Sequence, residues 1–276
     1  MINGSSRTLV NLPWEANGGD NATDFSGLGN GISFSGTKPT HNLSGGFDGK
    51  GAYDFTQGDG GEIVLMDTID PTNYTIEAWI RPTDVTFTGI IARSNDIGPG
   101  TSTSHEIRIT AGSKFEHRTL DGGGNNLVTG STTIVAGDWY HVAAVASNNG
   151  EMRLFVNGVE EGTSITLGTL DTDFDRYYFG TDSPSGAGRF DGAIDELRIW
   201  RTNLSATAIK AIFENNTNTT VYTELTTGQN WTVDATPHDG TNNGTKVRSN
   251  QVITFELSDT TTPAVTWVTG DNRNYS

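Results

Sequence analysis

Cysteine is absent from the 276 residues, so the chain has neither a disulfide framework nor a thiol site, and its redox compartment stays open. No apolar run reaches 18 residues, which excludes a transmembrane helix. Basic residues are few: 17 Lys and Arg against 33 Asp and Glu give a net charge of −16. That balance argues against a nucleic-acid surface and favours solubility, salt-rich surroundings or divalent-cation binding. The opening MINGSSRTLVNLPWEANGG lacks the basic n-region and apolar h-region of a secretory signal. The expectation is a trimmed signal with an added Met, or release by another route such as lysis.

Catalytic motifs are missing too. No G-x-S-x-G elbow, H-E-x-x-H pair or EF-hand spacing occurs. GPGTSTS (98–104) and GGGNN (122–126) are glycine-rich but carry no Lys and precede no helix, so they do not cradle phosphate. A glycosidase needs two carboxylates facing each other across a cleft, and no E-x-D-x-x-E set stands on one strand face. Asp195 and Glu196 are adjacent, which places them on opposite faces of a strand. His141, in WYHVA, reads as a packed or hydrogen-bonded strand histidine. The chain is therefore expected to be no enzyme.

What the sequence does have is 35 Gly with abundant Thr, Asn and Asp, the composition of many short strands joined by turns. YTIEAWIRP (74–82) alternates, with Ile76, Ala78 and Ile80 on one face and Glu77 and Trp79 on the other. DWYHVAAVAS (138–147) alternates likewise. In MRLFVNGVEEG (152–162), Asn157-Gly158 predicts a two-residue hairpin, because both turn positions need positive φ. RYYFGTD and FDGAIDELRIW follow at similar spacing. Ser205 caps a single helix, ATAIKAIFEN, whose Ile209, Ile212 and Phe213 are expected to cover one end of the core. The fold class is all-β, an antiparallel jelly-roll sandwich with one short capping helix and a β-rich C-terminal extension.

The ordered set EAW (77–79), W-Y-H-V (139–142), L-F-V-N-G (154–158), F-D-G-A-I-D-E-L-R-I (190–199) and L-S-A-T-A-I (204–209) resembles the laminin-G-like, concanavalin A-like jelly-roll superfamily. DFSGLGNG (24–31) and GGFDGKGAYDF (45–55) resemble its first strands. The resemblance covers about residues 8–216, and domains are expected at 1–216 and 217–276. The last segment, with NWTVDATPHDG and SNQVITF, resembles the closing hairpin of an immunoglobulin-like surface repeat whose first half is missing. Its sheet would be completed by a neighbouring subunit or by the sandwich.

The resemblance implies a calcium site on Asp195. Glu15, Pro13, Gly49 and Gly51 would supply the other oxygens, and the physics agrees, because a hard cation neutralises a carboxylate set among apolar residues. The alternative is that Asp195 caps a backbone or pairs with Arg198 or Arg201. Glycan contacts are expected from the loops 92–106 and 118–130, at Asn95, Asp96, Asn125 and Asn126, with one ring from the Tyr177–Tyr178 pair, Tyr177 being the one chosen. Ten N-x-[S/T] sequons begin at Asn3, Asn21, Asn42, Asn73, Asn203, Asn215, Asn218, Asn230, Asn243 and Asn274, against about five expected by chance. Of these, Asn21, Asn73, Asn203, Asn215, Asn218, Asn230 and Asn243 are glycosylation candidates.

Two functions compete. One is an external structural protein, a subunit or decoration of a virus particle or extracellular filament, bonding through β-strands to copies of itself or to other subunits. The other is a calcium-dependent glycan-binding adhesion module. Either places the protein on an extracellular surface or a virion, without nucleic acid or a membrane span.

Overall fold

The computed structural model describes residues 8–15, 24–26, 28–35, 37–57, 62–66, 72–86, 88–94, 103–122, 124–171, 176–182 and 188–215, with 230–232, 234–235, 245, 247–250 and 252–253 of the tail. The strands in chain order are β1 (Thr8–Leu12), β2 (Gly31–Ser35), β3 (Thr40–Asn42), β4 (Ala52–Phe55), β5 (Glu62–Met66), β6 (Asn73–Pro82) and β7 (Thr88–Ser94). Then come β8 (Thr103–Ile109), β9 (Phe115–Asp121), β10 (Gly124–Thr129), β11 (Tyr140–Ser147), β12 (Glu151–Val156), β13 (Val159–Thr166), β14 (Arg176–Phe179) and β15 (Gly192–Trp200). Helix α1 (Ala206–Phe213) precedes four two-residue strands: β16 (Asn230–Trp231), β17 (Asp234–Ala235), β18 (Val247–Arg248) and β19 (Val252–Ile253).

Two antiparallel sheets form the sandwich. The larger runs β13-β12-β11-β6-β15-β4-β3, with β1 also on β15; the smaller runs β10-β9-β8-β7-β14-β5-β2. The period-two pattern decides which side chains meet between them. Ile76, Ala78 and Ile80 of β6, Val142 and Ala144 of β11 and Ile194 and Ile199 of β15 face Ile107, Ile109, Phe115 and Phe179 of the smaller sheet. At the hairpin between β12 and β13, Asn157 (φ 50°) and Gly158 (φ 75°) take the left-handed conformation that the turn requires. Edge strands β10 and β13 run beside one another, and Glu161 of β13 accepts the Ser131 and Thr132 N–H groups at 2.7 and 2.9 Å, joining the two sheets there.

Helix α1 starts where expected: Ser205 Oγ accepts the Ala208 N–H at 3.2 Å. Its location differs from the expectation. It lies on the outer face of the larger sheet, where Ile209 packs with Ala143, Val145, Phe155 and Leu204, rather than over an end of the core. The reason is local: Ala143 and Val145 alternate with the core residues of β11, leaving an apolar stripe on the far face that only another element can bury.

Strand β15 carries a bulge. Asp195 pairs with Trp79 and Arg198 with Glu77, so two residues stand opposite Ala78 alone, and Glu196 takes φ 50°. In the tail, Asn230–Trp231 pairs antiparallel with Val252–Ile253, and Asp234–Ala235 pairs antiparallel with Val247–Arg248. The boundary expected at 216/217 lies outside the described residues.

Candidate functional site

Three clusters of polar side chains lie on the sandwich faces, the third beside Phe213 of helix α1. The first is built around Asp195, which the β15 bulge leaves 1% exposed. Its Oδ2 accepts the Phe47 N–H at 2.9 Å and its Oδ1 the Glu196 N–H at 2.7 Å. Burial pushes the carboxyl up to about 7; the Phe47 bond opposes this, and the nearby Glu196 and Asp48 charges add to it. Gly46 leaves a small space here. A Cβ on it would lie 2.7 Å from both Asp195 Oδ2 and Gly51 O, and 3.0 Å from Lys50 O. A Cβ on Gly51 would overlap the Trp14 carbonyl oxygen, so the N-terminal segment is drawn against the same turn.

Beside this space, Glu15 Oε2 is buried with no hydrogen-bond partner among the described residues. Its other oxygen meets Lys50 Nζ at 3.1 Å, and Asp48 meets the same ammonium at 2.7 Å. Among the described residues no three His, Cys, Asp or Glu side chains converge as a metal centre. A cation here needs main-chain oxygens as well. The set on offer is oxygen only, which fits calcium and not a metal that prefers nitrogen or sulfur. Of the expected partners, the structure brings Glu15 and Gly51 towards Asp195. Pro13 is half-buried two residues before Glu15, and Gly49 (φ 83°) donates to Gly46 O at 3.1 Å; no contact among the described residues sets either against Asp195.

The second cluster is on the outward face of the smaller sheet. Register places Glu106 opposite Arg118 and Arg108 opposite Glu116, so charge alternates along and across β8 and β9. Arg108 Nε and Nη2 donate to Glu116 Oε1 at 2.8 and 2.5 Å, and the Thr129 hydroxyl donates to Glu116 Oε2. Arg118 Nη1 donates to Glu106 Oε2 at 3.3 Å, while its Nε and Nη2 fork onto Asn125 Oδ1 at 3.1 and 2.8 Å. Burial pushes the Glu106 carboxyl up, against Arg108 and Arg118, which pull it down; Asp182 adds a like charge. Asn125 and Thr129 are exposed, and Leu127 between them is 42% exposed, so the grid opens to solvent along β10.

The third cluster has Glu77 at its centre. His141 Nε2 lies 3.0 Å from Oε2, Trp200 Nε1 donates to Oε1 at 3.0 Å, and Arg198 Nη1 stands 3.5 Å from Oε1. Burial alone would raise this carboxyl, but the His141 bond, Arg198 and Trp200 outweigh it and hold it below the usual range. Around it Phe47, 43% exposed, stacks on Trp79 at 3.3 Å, and Phe213 of α1 approaches Trp79 at 5.7 Å.

Among the expected glycan residues, Asn125 stands in the charged grid and Asn126 donates to Gly124 O at 3.4 Å; Asn95 and Asp96 lie outside the described residues. Tyr177 is a correction. It is fully buried in the core with Phe179, so its ring is not presented to a surface ligand. Asn203 and Asn215 are exposed, whereas Asn73 is half-buried and accepts the Asn148 N–H. Asn21, Asn218 and Asn243 lie outside the described residues, as does the side chain of Asn230.

A family model described as the concanavalin A-like lectin/glucanases superfamily, of laminin-G type, matches residues 54–210. The chain belongs to that superfamily. No curated protein matches it. Among solved structures, this superfamily member is similar to the binding domain of Paraclostridial Mosquitocidal Protein 1, at 15% identity and TM-score 0.60, covering 76% of this chain and 52% of that one. It is similar to botulinum neurotoxin type C, for which cell entry is reported to depend on two ganglioside molecules, at 15% identity and TM-score 0.57, with 76% and 51% covered. A third is the binding domain of Botulinum Neurotoxin DC in complex with SialylT, at 15% identity and TM-score 0.57, with 80% and 53% covered. At this identity the likeness is one of fold, and the chain spans about half the length of those toxin chains.

Proposed function

We propose that the chain is a non-enzymatic carbohydrate-binding module working outside a cell, with its ligand site on the outward face of β8, β9 and β10. The observation that carries this reading is the Glu106–Arg118 and Arg108–Glu116 grid with Asn125 at its open side. Saccharide hydroxyls need donors and acceptors fixed at short spacing, and these side chains are locked in place by one another before any ligand arrives. Leu127 supplies an apolar surface beside them for a sugar's C–H face. The toxin binding domains, with their ganglioside and SialylT partners, support the reading by analogy of fold.

Calcium is the cation proposed for the Asp195 pocket, held by Asp195 and Glu15 with the main-chain oxygens of Lys50 and Gly51. When bound it supplies charge neutralisation rather than chemistry. Asp195 then ties the N-terminal segment and the turn before β4 to β15.

The particle- or filament-subunit reading rests on residues 217–276. The described part of that segment is two short antiparallel strand pairs, and no contact to a second copy of the chain stands among the described residues.

A glycan array probed with the wild-type chain tests the reading. Discrete carbohydrate signals are expected. Arg118→Ala should weaken the strongest of them about 10- to 100-fold, because it releases Asn125 and leaves Glu106 without its cross-strand partner. Silence across the array, or hydrolysis of a bound glycan, would overturn the proposal.

A further inference from the structure

We infer that the pairing of Arg108 and Arg118 with carboxylates on the face of β8, β9 and β10 fits it to neutral saccharides and excludes acidic ones. The inference rests on the carbohydrate-binding reading above and adds the class of ligand. A site for a sialic, uronic or sulfated sugar needs a guanidinium edge with charge to spare, because the strong recognition of a carboxylate or sulfate is bidentate. Neither arginine here offers one. Arg108 directs two N–H groups at Glu116 Oε1, and it also stands 3.7 Å from Glu106 Oε2. Arg118 spends one edge on Asn125 Oδ1 and its other terminal nitrogen on Glu106.

The four charges cancel in two cross-strand pairs, and Asp182 beside Glu106 tips the surroundings to negative. An acidic sugar would therefore add a further anion beside Glu106, Glu116 and Asp182, on a chain whose net charge is already −16. Like-charge placement of that kind is costly at close range. A neutral sugar meets no such barrier. Its hydroxyls can bond the exposed Asn125 and Thr129 at the open side of the grid, without displacing either pair.

The pairing makes a sharp prediction: removing one anion should turn the preference round. Glu116→Gln keeps the size and an acceptor oxygen but frees the charge of Arg108. Glu106→Gln does the same for Arg118 and serves as the second variant should the first not fold. The test prints each neutral oligosaccharide beside its sialylated, uronic and sulfated derivatives and compares wild type with both variants.

For the wild type, neutral forms should exceed their acidic derivatives at least about tenfold. For either variant the ratio of acidic to neutral signal should rise at least about tenfold. Equal or better binding of acidic derivatives by the wild type overturns the specificity and leaves the carbohydrate reading standing. So does a ratio that neither folded variant moves. Silence on every glycan overturns the carbohydrate reading itself, and the inference falls with it.

Discussion

Glu77→Ala is expected to destabilise the sandwich by about 3–5 kcal/mol, because it leaves the partners of a buried ionic group without their acceptor. Glu77 is fully buried on the outer face of the larger sheet. It takes the Trp200 N–H at 3.0 Å, lies 3.0 Å from His141 Nε2 and balances Arg198 at 3.5 Å. Alanine would strand the His141 ring and the Trp200 N–H, while Arg198 keeps its pairing with Glu196. At about 2–4 °C per kcal/mol for a chain of this size, the melting temperature should fall by about 10 °C. The acid limb of the stability curve should change with it. The folded carboxyl is held below its unfolded value of 4.5, so its contribution is present above that pH and is lost as pH falls. Glu77→Ala should therefore flatten the loss of stability below about pH 4.5. An unchanged midpoint in denaturant would show that the cluster is ornamental to stability.

Asp195 runs the other way with pH. Its carboxyl rises from 3.8 to about 7 on folding, so between those values the folded chain holds a proton that the unfolded chain has released. Stability falls as pH rises through that window, by about 4 kcal/mol in full, and the cost is complete above about pH 7. Calcium in the pocket would offset it. Millimolar calcium is expected to raise the melting temperature at pH 8 by about 5–10 °C, corresponding to about 2.7 kcal/mol at a hundredfold excess over the dissociation constant. The same addition at pH 5 should do little, because the ion must then displace a proton. Asp195→Ala should lose both the calcium effect and this share of the pH slope. A wild-type melting temperature at pH 8 that is indifferent to chelator would remove the ion from the account.

The strands were legible from alternation alone. In YTIEAWIRP the parity of Ile76, Ala78 and Ile80 decides which side faces the core, and Asn157-Gly158 decides a turn, because few residues tolerate that backbone. Asp195 was legible for a related reason: a carboxylate among Ile194, Leu197 and Ile199 needs a partner wherever it points. The bulge that aims it was not, since Glu196 looks like one more strand residue until the register to β6 is known.

The charged grid escaped the sequence altogether. HEIRI and FEHR each read as an ordinary alternating strand; that Glu106 meets Arg118 and Arg108 meets Glu116 is a fact of pairing between strands, not of either one. Tyr177 went astray through parity. In RYYF two tyrosines stand side by side, one must turn inward, and nothing within those four residues says that it is Tyr177. Helix α1 was placed correctly along the chain and wrongly in space, because its docking stripe of Ala143, Val145 and Phe155 belongs to other strands.

A saccharide is proposed to dock on the outward face of β8, β9 and β10. Amide NMR spectra recorded while titrating the strongest array ligand test this docking most directly. Shifts should gather on residues 106–108, 116–118 and 125–129 and shrink in Arg118→Ala at the same ligand concentration. Shifts gathered instead on the turn around Phe47, with the grid silent, would contradict it.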